Sequence, residues 1–214
     1  MKQSELSHII IAMLVLGLVA SFPFIIKQDW TNTLMALAFS VIIIAISISA
    51  KKAASYSLDS NVEHEIWEMS RFGFGKRDYL KKPIPAGIIF PSVLTIISLG
   101  LVKFMPILTY ETRALKYRAV KRFGFYSFTE VTDWHHALIG AAGILSVLTI
   151  AFITYLIPAS NLEYLAKISA YYAFWNLIPI SKLDGAQIFF GSRILWTVLA
   201  TITAIFVFLA LTIV

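Results

Sequence analysis

Long apolar runs separated by short polar stretches set the pattern of this chain. The clear runs cover about 9–26, 33–50, 136–157, 164–181 and 194–214. Each is long enough, or nearly so, to cross a hydrocarbon core about 30 Å thick at about 1.5 Å per residue. In lipid such runs must be helices, because no water is present to satisfy the backbone. A sixth run, 83–108, is apolar but contains Pro83, Pro85, Gly87, Pro91, Gly100, Lys103 and Pro106. Proline removes a backbone donor and breaks helices, so this run predicts a kinked span or a re-entrant hairpin. The fold class expected is an all-α polytopic membrane protein with about six hydrophobic segments, forming one membrane domain over 1–214. The first run follows only Lys2 and precedes no A-x-A site, so it reads as a span rather than a cleaved leader.

Between the runs, "RFGFGKRDY" and "KRFGFYSFTEVTDW" alternate aromatic and polar residues around glycines, which predicts short strands at the membrane surface. Thr132 and Asp133 are N-cap candidates for the span that follows, and Trp134 suits an interfacial aromatic belt.

Composition strengthens the membrane reading. Apolar residues make up 58% of the chain and charged residues only 14%, whereas soluble domains are about one quarter charged. There is no cysteine, which excludes disulfides and thiolate metal sites. The net charge of +6 is a topology signal rather than a nucleic-acid footprint, because the basic residues sit in loops beside apolar runs. If 83–108 turns back, loops 51–82 and 109–135 share one side with Lys2, Lys182 and Arg193. Fifteen of the eighteen basic residues then gather there, leaving Lys27, Lys103 and Lys167. The positive-inside rule favours that arrangement and makes both loops cytoplasmic.

Candidate chemistry centres on "FWNLIPISKLDGAQ", 174–187. Asp184 is the sole acid after Glu163, and an ionisable residue beside a membrane span is a functional candidate. The plainer reading is a turn: Asp-Gly is a common turn pair, with Lys182 or Arg193 as a charge partner. Asn176-x-x-Pro179 followed by Leu183-Asp184-Gly185 resembles the N-x-x-P-x-x-x-x-D-G signature of the site-2 protease family of intramembrane zinc metallopeptidases. "HHALIGAAGILSVL" is similar to that family's glycine-containing span, with Gly143 at the glycine. The resemblance covers roughly 33–200. It implies a metal ligand at Asp184, a zinc cofactor in active members, and transmembrane segments of other proteins as substrates or partners.

The family's H-E-x-x-H would fall at the end of run 33–50, where this chain reads Ser47-Ile48-Ser49-Ala50-Lys51. A lysine there repels a cation and cannot ligate while protonated. The proline expected after Gly143 is Ile144. An alternative donor set lies in "NVEHEIWEM". On a helix, His64 and Glu68 would share a face and join Asp184 as zinc ligands. On a strand, Glu63, Glu65 and Trp67 would face one way and His64 the other, as ordinary interfacial groups. His135 and His136 read as cap and headgroup contacts, and Gly140, Ala141, Ala142, Gly143 and Ser146 as a close-packing patch. The expected function is a catalytically degenerate site-2 protease-like protein, without zinc, that binds membrane-protein segments. The alternatives are an active zinc endopeptidase with displaced ligands and a small transporter or channel.

Overall fold

The computed structural model describes residues 3–71, 79–115, 131–157 and 160–212. Seven helices appear among them: α1 (Gln3–Ile26), α2 (Trp30–Ser57), α3 (Ala86–Ile97), α4 (Asp133–Leu156), α5 (Ser160–Leu177), α6 (Asp184–Gly191) and α7 (Arg193–Thr212). Four of them, α1, α2, α4 and α7, are long and apolar enough to cross a membrane. Of the five clear spans and six segments expected, these four meet the demands of length and apolarity. Helix α5 forms where run 164–181 predicted a span, but Glu163, Lys167 and Asn176 dilute its apolar character. Leu14, Leu34, Ile97 and Phe208 are among the large apolar side chains left on the outside, as expected where hydrocarbon is the solvent.

Local signals explain several boundaries. Asp29 caps α2 by accepting the Asn32 backbone N–H at 3.2 Å. Thr132 is the N-cap of α4, and Asp133 opens its first turn. Pro179 follows the end of α5 at Leu177, where a proline cannot continue the helix.

Helix α2 runs seven residues past its apolar stretch, and this extension carries Lys51 and Lys52 into the protein. Beyond it lie two small antiparallel sheets. Strand β1 (Ser60–Ile66) pairs with β4 (Leu108–Ala114), His64 standing opposite Tyr110. Strand β2 (Met69–Arg71) pairs with β3 (Tyr79–Ile84). Strands were expected near here, and β2 and β3 flank the first glycine-rich segment. Most of that segment, and most of the second, lies outside the described residues. The β1–β4 pairing brings the two loop regions after α2 and before α4 to the same end of the helix bundle.

The 83–108 run is a hairpin rather than a through-going helix. Trp67 holds both of its ends: the Gly87 N–H donates to Trp67 O at 2.9 Å, and the Trp67 N–H donates to Ile107 O at 2.8 Å. A Cβ on Gly87 would lie 2.2 Å from Ile107 O, so only glycine admits the crossing. From there α3 descends for 12 residues, about 18 Å. The chain turns at Gly100, φ +80°, against Pro23 near the far end of α1, and then returns. Phe90 and Phe104 of the hairpin pack on Trp67, and Phe104 packs on Trp175 at 4.8 Å between centroids.

Two apolar clusters hold the bundle. One joins Leu16, Ile43, Met105 and Ile168 from α1, α2, the hairpin and α5. The other joins Ile144, Leu177, Ile188 and Leu199 from α4, α5, α6 and α7.

Candidate functional site

The tight link between α5 and α6 places Asp184. Asn176, almost fully buried, donates its side-chain amide to Tyr172 O at 2.8 Å within α5. After Pro179 the chain reverses, and α6 starts against the end of α5. A Cβ on Gly185 would lie 2.0 Å from Leu177 O, so the residue after Asp184 must be glycine for the two helices to meet. This contact turns Asp184 inward, to 1% exposure.

Opposite it stands Lys51 of α2. Its ammonium lies 2.5 Å from Asp184 Oδ2, and the two side chains are 3% and 1% exposed. The same ammonium sits 5.0 Å from the centre of the Tyr110 ring of β4, a cation–π distance. The aliphatic stem of Lys51 lies over Gly143 of α4, where a Cβ would come within 2.4 Å of Lys51 Cε. Gly140 likewise gives room to the Tyr110 hydroxyl, which donates to His136 O at 2.6 Å. The small-residue patch on α4 therefore seats two side chains of the site as well as packing helices. Ser47, one turn before Lys51, is buried on the same face of α2.

Burial pushes the Asp184 carboxyl above its usual range, and the Lys51 ammonium opposes that push. Burial, followed by the nearby Asp184 charge, also raises the Tyr110 hydroxyl well above its ordinary value. Two opposite charges withdrawn from water survive only when paired closely, and 2.5 Å is such a pairing.

The partners expected for Asp184 are elsewhere. Lys182 is exposed and lies 3.6 Å from Glu111. Arg193 stacks over the Phe189 ring at 5.7 Å. His64 also departs from expectation. Its stretch is strand β1, so His64 and Glu68 do not share a helix face; His64 is buried and Glu68 exposed. Nor is His64 an interfacial group. It sits at 1% exposure against Glu5, whose Oε1 lies 3.3 Å from both its Nδ1 and its backbone N–H. Lys52 completes this second cluster at 2.7 Å from the same oxygen. Glu5 escaped the sequence reading because it stands in the first turn of α1, where an acid ordinarily serves the helix dipole.

Asp184 Oδ2 is taken by the Lys51 ammonium, and the Tyr110 ring lies on the far side of that ammonium. Among the described residues, no three His, Cys, Asp or Glu side chains converge to hold a metal ion. The donor set around Asp184 does not fit a catalytic zinc, which takes three protein ligands and an open position.

Beside the pair opens a cavity of about 420 Å³, with Tyr110, Glu111 and Thr112 of β4, His136 of α4 and Gln187 of α6 in its walls. One edge of β4 is paired with β1; on the other side the Gln187 side chain donates to Tyr110 O at 3.1 Å.

Comparison with family models, curated proteins and solved structures finds no match.

Proposed function

We propose that this protein is a multi-pass, site-2 protease-like membrane protein in which an ammonium–carboxylate pair stands where the family holds a metal, and that it binds membrane-protein segments without cutting them. One observation carries the reading. Lys51, which falls where the resemblance expects the histidine-bearing helix end, meets Asp184, which falls where it expects the third ligand, at 2.5 Å. The segments far apart in sequence that the resemblance pairs are thus neighbours in the fold, with Gly143 between them. The Lys51 ammonium pairs with Oδ2 of the buried carboxylate, leaving Oδ1 without a hydrogen-bond partner, and supplies no position for a water nucleophile.

The cavity along β4 suits the binding role. An extended segment unwinding from a membrane span could pair with main-chain groups of a strand, as peptide-binding sheets do. Gln187, which now occupies Tyr110 O, would be the group displaced. An active protease draws less support, since His64 and Glu68 point to different environments.

Purified protein is expected to lack stoichiometric zinc by elemental analysis and to leave model transmembrane substrates intact. A photo-crosslinker at position 111 is expected to capture a synthetic single-span peptide more efficiently than one at position 34 on the outer face of α2. Bound zinc, with cleavage abolished by Asp184→Asn, would overturn the reading.

The charge distribution supports a cytoplasmic location for the strand-bearing end, with the hairpin dipping into the bilayer and returning. Single cysteines at exposed Asn61 and Arg113 are expected to label from the same side of sealed vesicles, and a cysteine at Gln28 from the opposite side. Opposite accessibility of 61 and 113 would refute this topology.

A further inference from the structure

Three basic residues depart from the charge bias: Lys27, Lys103 and Lys167. Two of them meet. Lys103, on the returning arm of the hairpin, and Lys167 of α5 line one cavity of about 510 Å³ at the end of the bundle remote from the strands. Pro23 of α1 and Gly100 mark its outer limit. Its inner wall is a single stripe of α5: Lys167, then Tyr171, Phe174 and Trp175 at the spacing of one helix face. The stripe is graded, cationic toward the bundle end and aromatic toward its middle. Phe174 on α5 and Leu101 and Val102 after the hairpin turn are exposed, so the cavity is open along the side of the bundle as well as at its end.

Lys103 is held in place rather than free to reach water. Its ammonium donates to the Tyr164 hydroxyl at 3.2 Å and lies 4.8 Å from that ring's centre. The Tyr164 hydroxyl in turn donates to Ala20 O of α1. An ammonium has three donors, so one bond to tyrosine leaves capacity for an anion. Among the described residues, no carboxylate lines the cavity.

We propose that this cavity is a binding site for an anionic phospholipid, with the phosphate between Lys103 and Lys167 and the upper acyl chain along Tyr171, Phe174 and Trp175. The order of chemistry along α5 matches the order within a bilayer leaflet, head outward and hydrocarbon inward. The cavity lies in the leaflet opposite the strand-bearing end, and a lipid phosphate of that leaflet supplies the anion that two ammonium groups attract. A soluble phosphate would use the lysines but leave the aromatic wall and the lateral opening without a role. The site is remote from the Lys51–Asp184 pair and does not depend on the function proposed for it.

The test uses the full-length protein in phosphatidylcholine bilayers doped with brominated phosphatidylglycerol or, separately, brominated phosphatidylcholine. Bromine quenches nearby tryptophan, and subtracting the signal of Trp175→Phe isolates Trp175. The anionic lipid is expected to quench Trp175 with an apparent preference of about fivefold or more, since each lysine near the surface favours an anionic lipid by about that factor. Lys103→Gln/Lys167→Gln should abolish the preference. The corresponding double arginine variant should retain it, which separates charge from folding. Lys27→Gln, at the same end but outside the cavity, should leave it unchanged. Equal quenching by the two lipids would overturn the proposal, as would a preference that survives the double glutamine variant or falls equally in Lys27→Gln. Displacement of the brominated anionic lipid by inorganic phosphate would also overturn it, by assigning the site to a soluble anion.

Discussion

Lys51→Met is expected to destabilise the protein by about 3–5 kcal/mol, because it leaves the Asp184 carboxylate buried without its cation. Methionine keeps much of the lysine stem and its packing over Gly143, so the loss reports charge more than volume. Asp184→Asn is expected to act in the same direction by stranding the Lys51 ammonium. The decisive comparison is the double variant Lys51→Met/Asp184→Asn. With both charges gone, neither remains unpaired, and the combined cost should fall short of the sum of the single costs by about 0.5–3 kcal/mol, as for coupled neighbours. Unfolding of the four proteins in the same detergent, followed by tryptophan fluorescence, measures this directly. A single variant within about 0.5 kcal/mol of wild type would match an exposed lysine and contradict the geometry. Strict additivity would show that the two charges do not interact.

How much of this pair was legible beforehand depends on which half is considered. Asp184 stood out as a lone acid in an apolar half of the chain, next to a glycine. Lys51 did not, because it follows directly on an apolar run and looks like the first residue of a basic loop. Hydropathy marks where a run stops being greasy, not where a helix stops. Helix α2 continues to Ser57, and only that continuation turns Lys51 inward. The apolar runs predicted α1, α2, α4 and α7 well, since 3.6-residue geometry and lipid leave few options for such stretches. Helix α5 formed as expected but is too polar to count with them. The strands were harder. The stretch "NVEHEI" read equally as helix or strand, its partner "LTYETRA" begins where the proline-rich run ends, and register is a long-range property that neither segment carries alone. The same holds for Glu5. Its role follows from α1 delivering it to His64 and Lys52, a meeting that no local pattern announces.

That second cluster gives the protein an acid-sensitive joint. His64 is nearly sealed from water, and its pKa is lowered from 6.5 to about 3, chiefly by burial and next by the Lys51 ammonium, with Glu5 working the other way. In an unfolded chain the same imidazole titrates near 6.5. Between these two values the unfolded state holds a proton that the folded state refuses. Stability contributed by His64 is therefore intact above about pH 6.5 and falls as the pH drops toward 3. The slope approaches about 1.4 kcal/mol per pH unit, so roughly 2 kcal/mol should be lost between pH 7 and pH 5. Asp184 acts in the opposite sense, since a carboxyl raised by burial takes up its proton more readily in the folded state. The total slope mixes these with the other titrating groups, and the His64 share is the difference between wild type and His64→Gln. Denaturant unfolding at pH 7 and pH 5 is expected to show wild type losing more stability than the variant over that interval. Equal losses would mean that His64 is not held neutral by its surroundings. A wild type that gains stability on acidification relative to the variant would mean that Glu5 prevails over burial and Lys51, and that the imidazole is folded in its charged form.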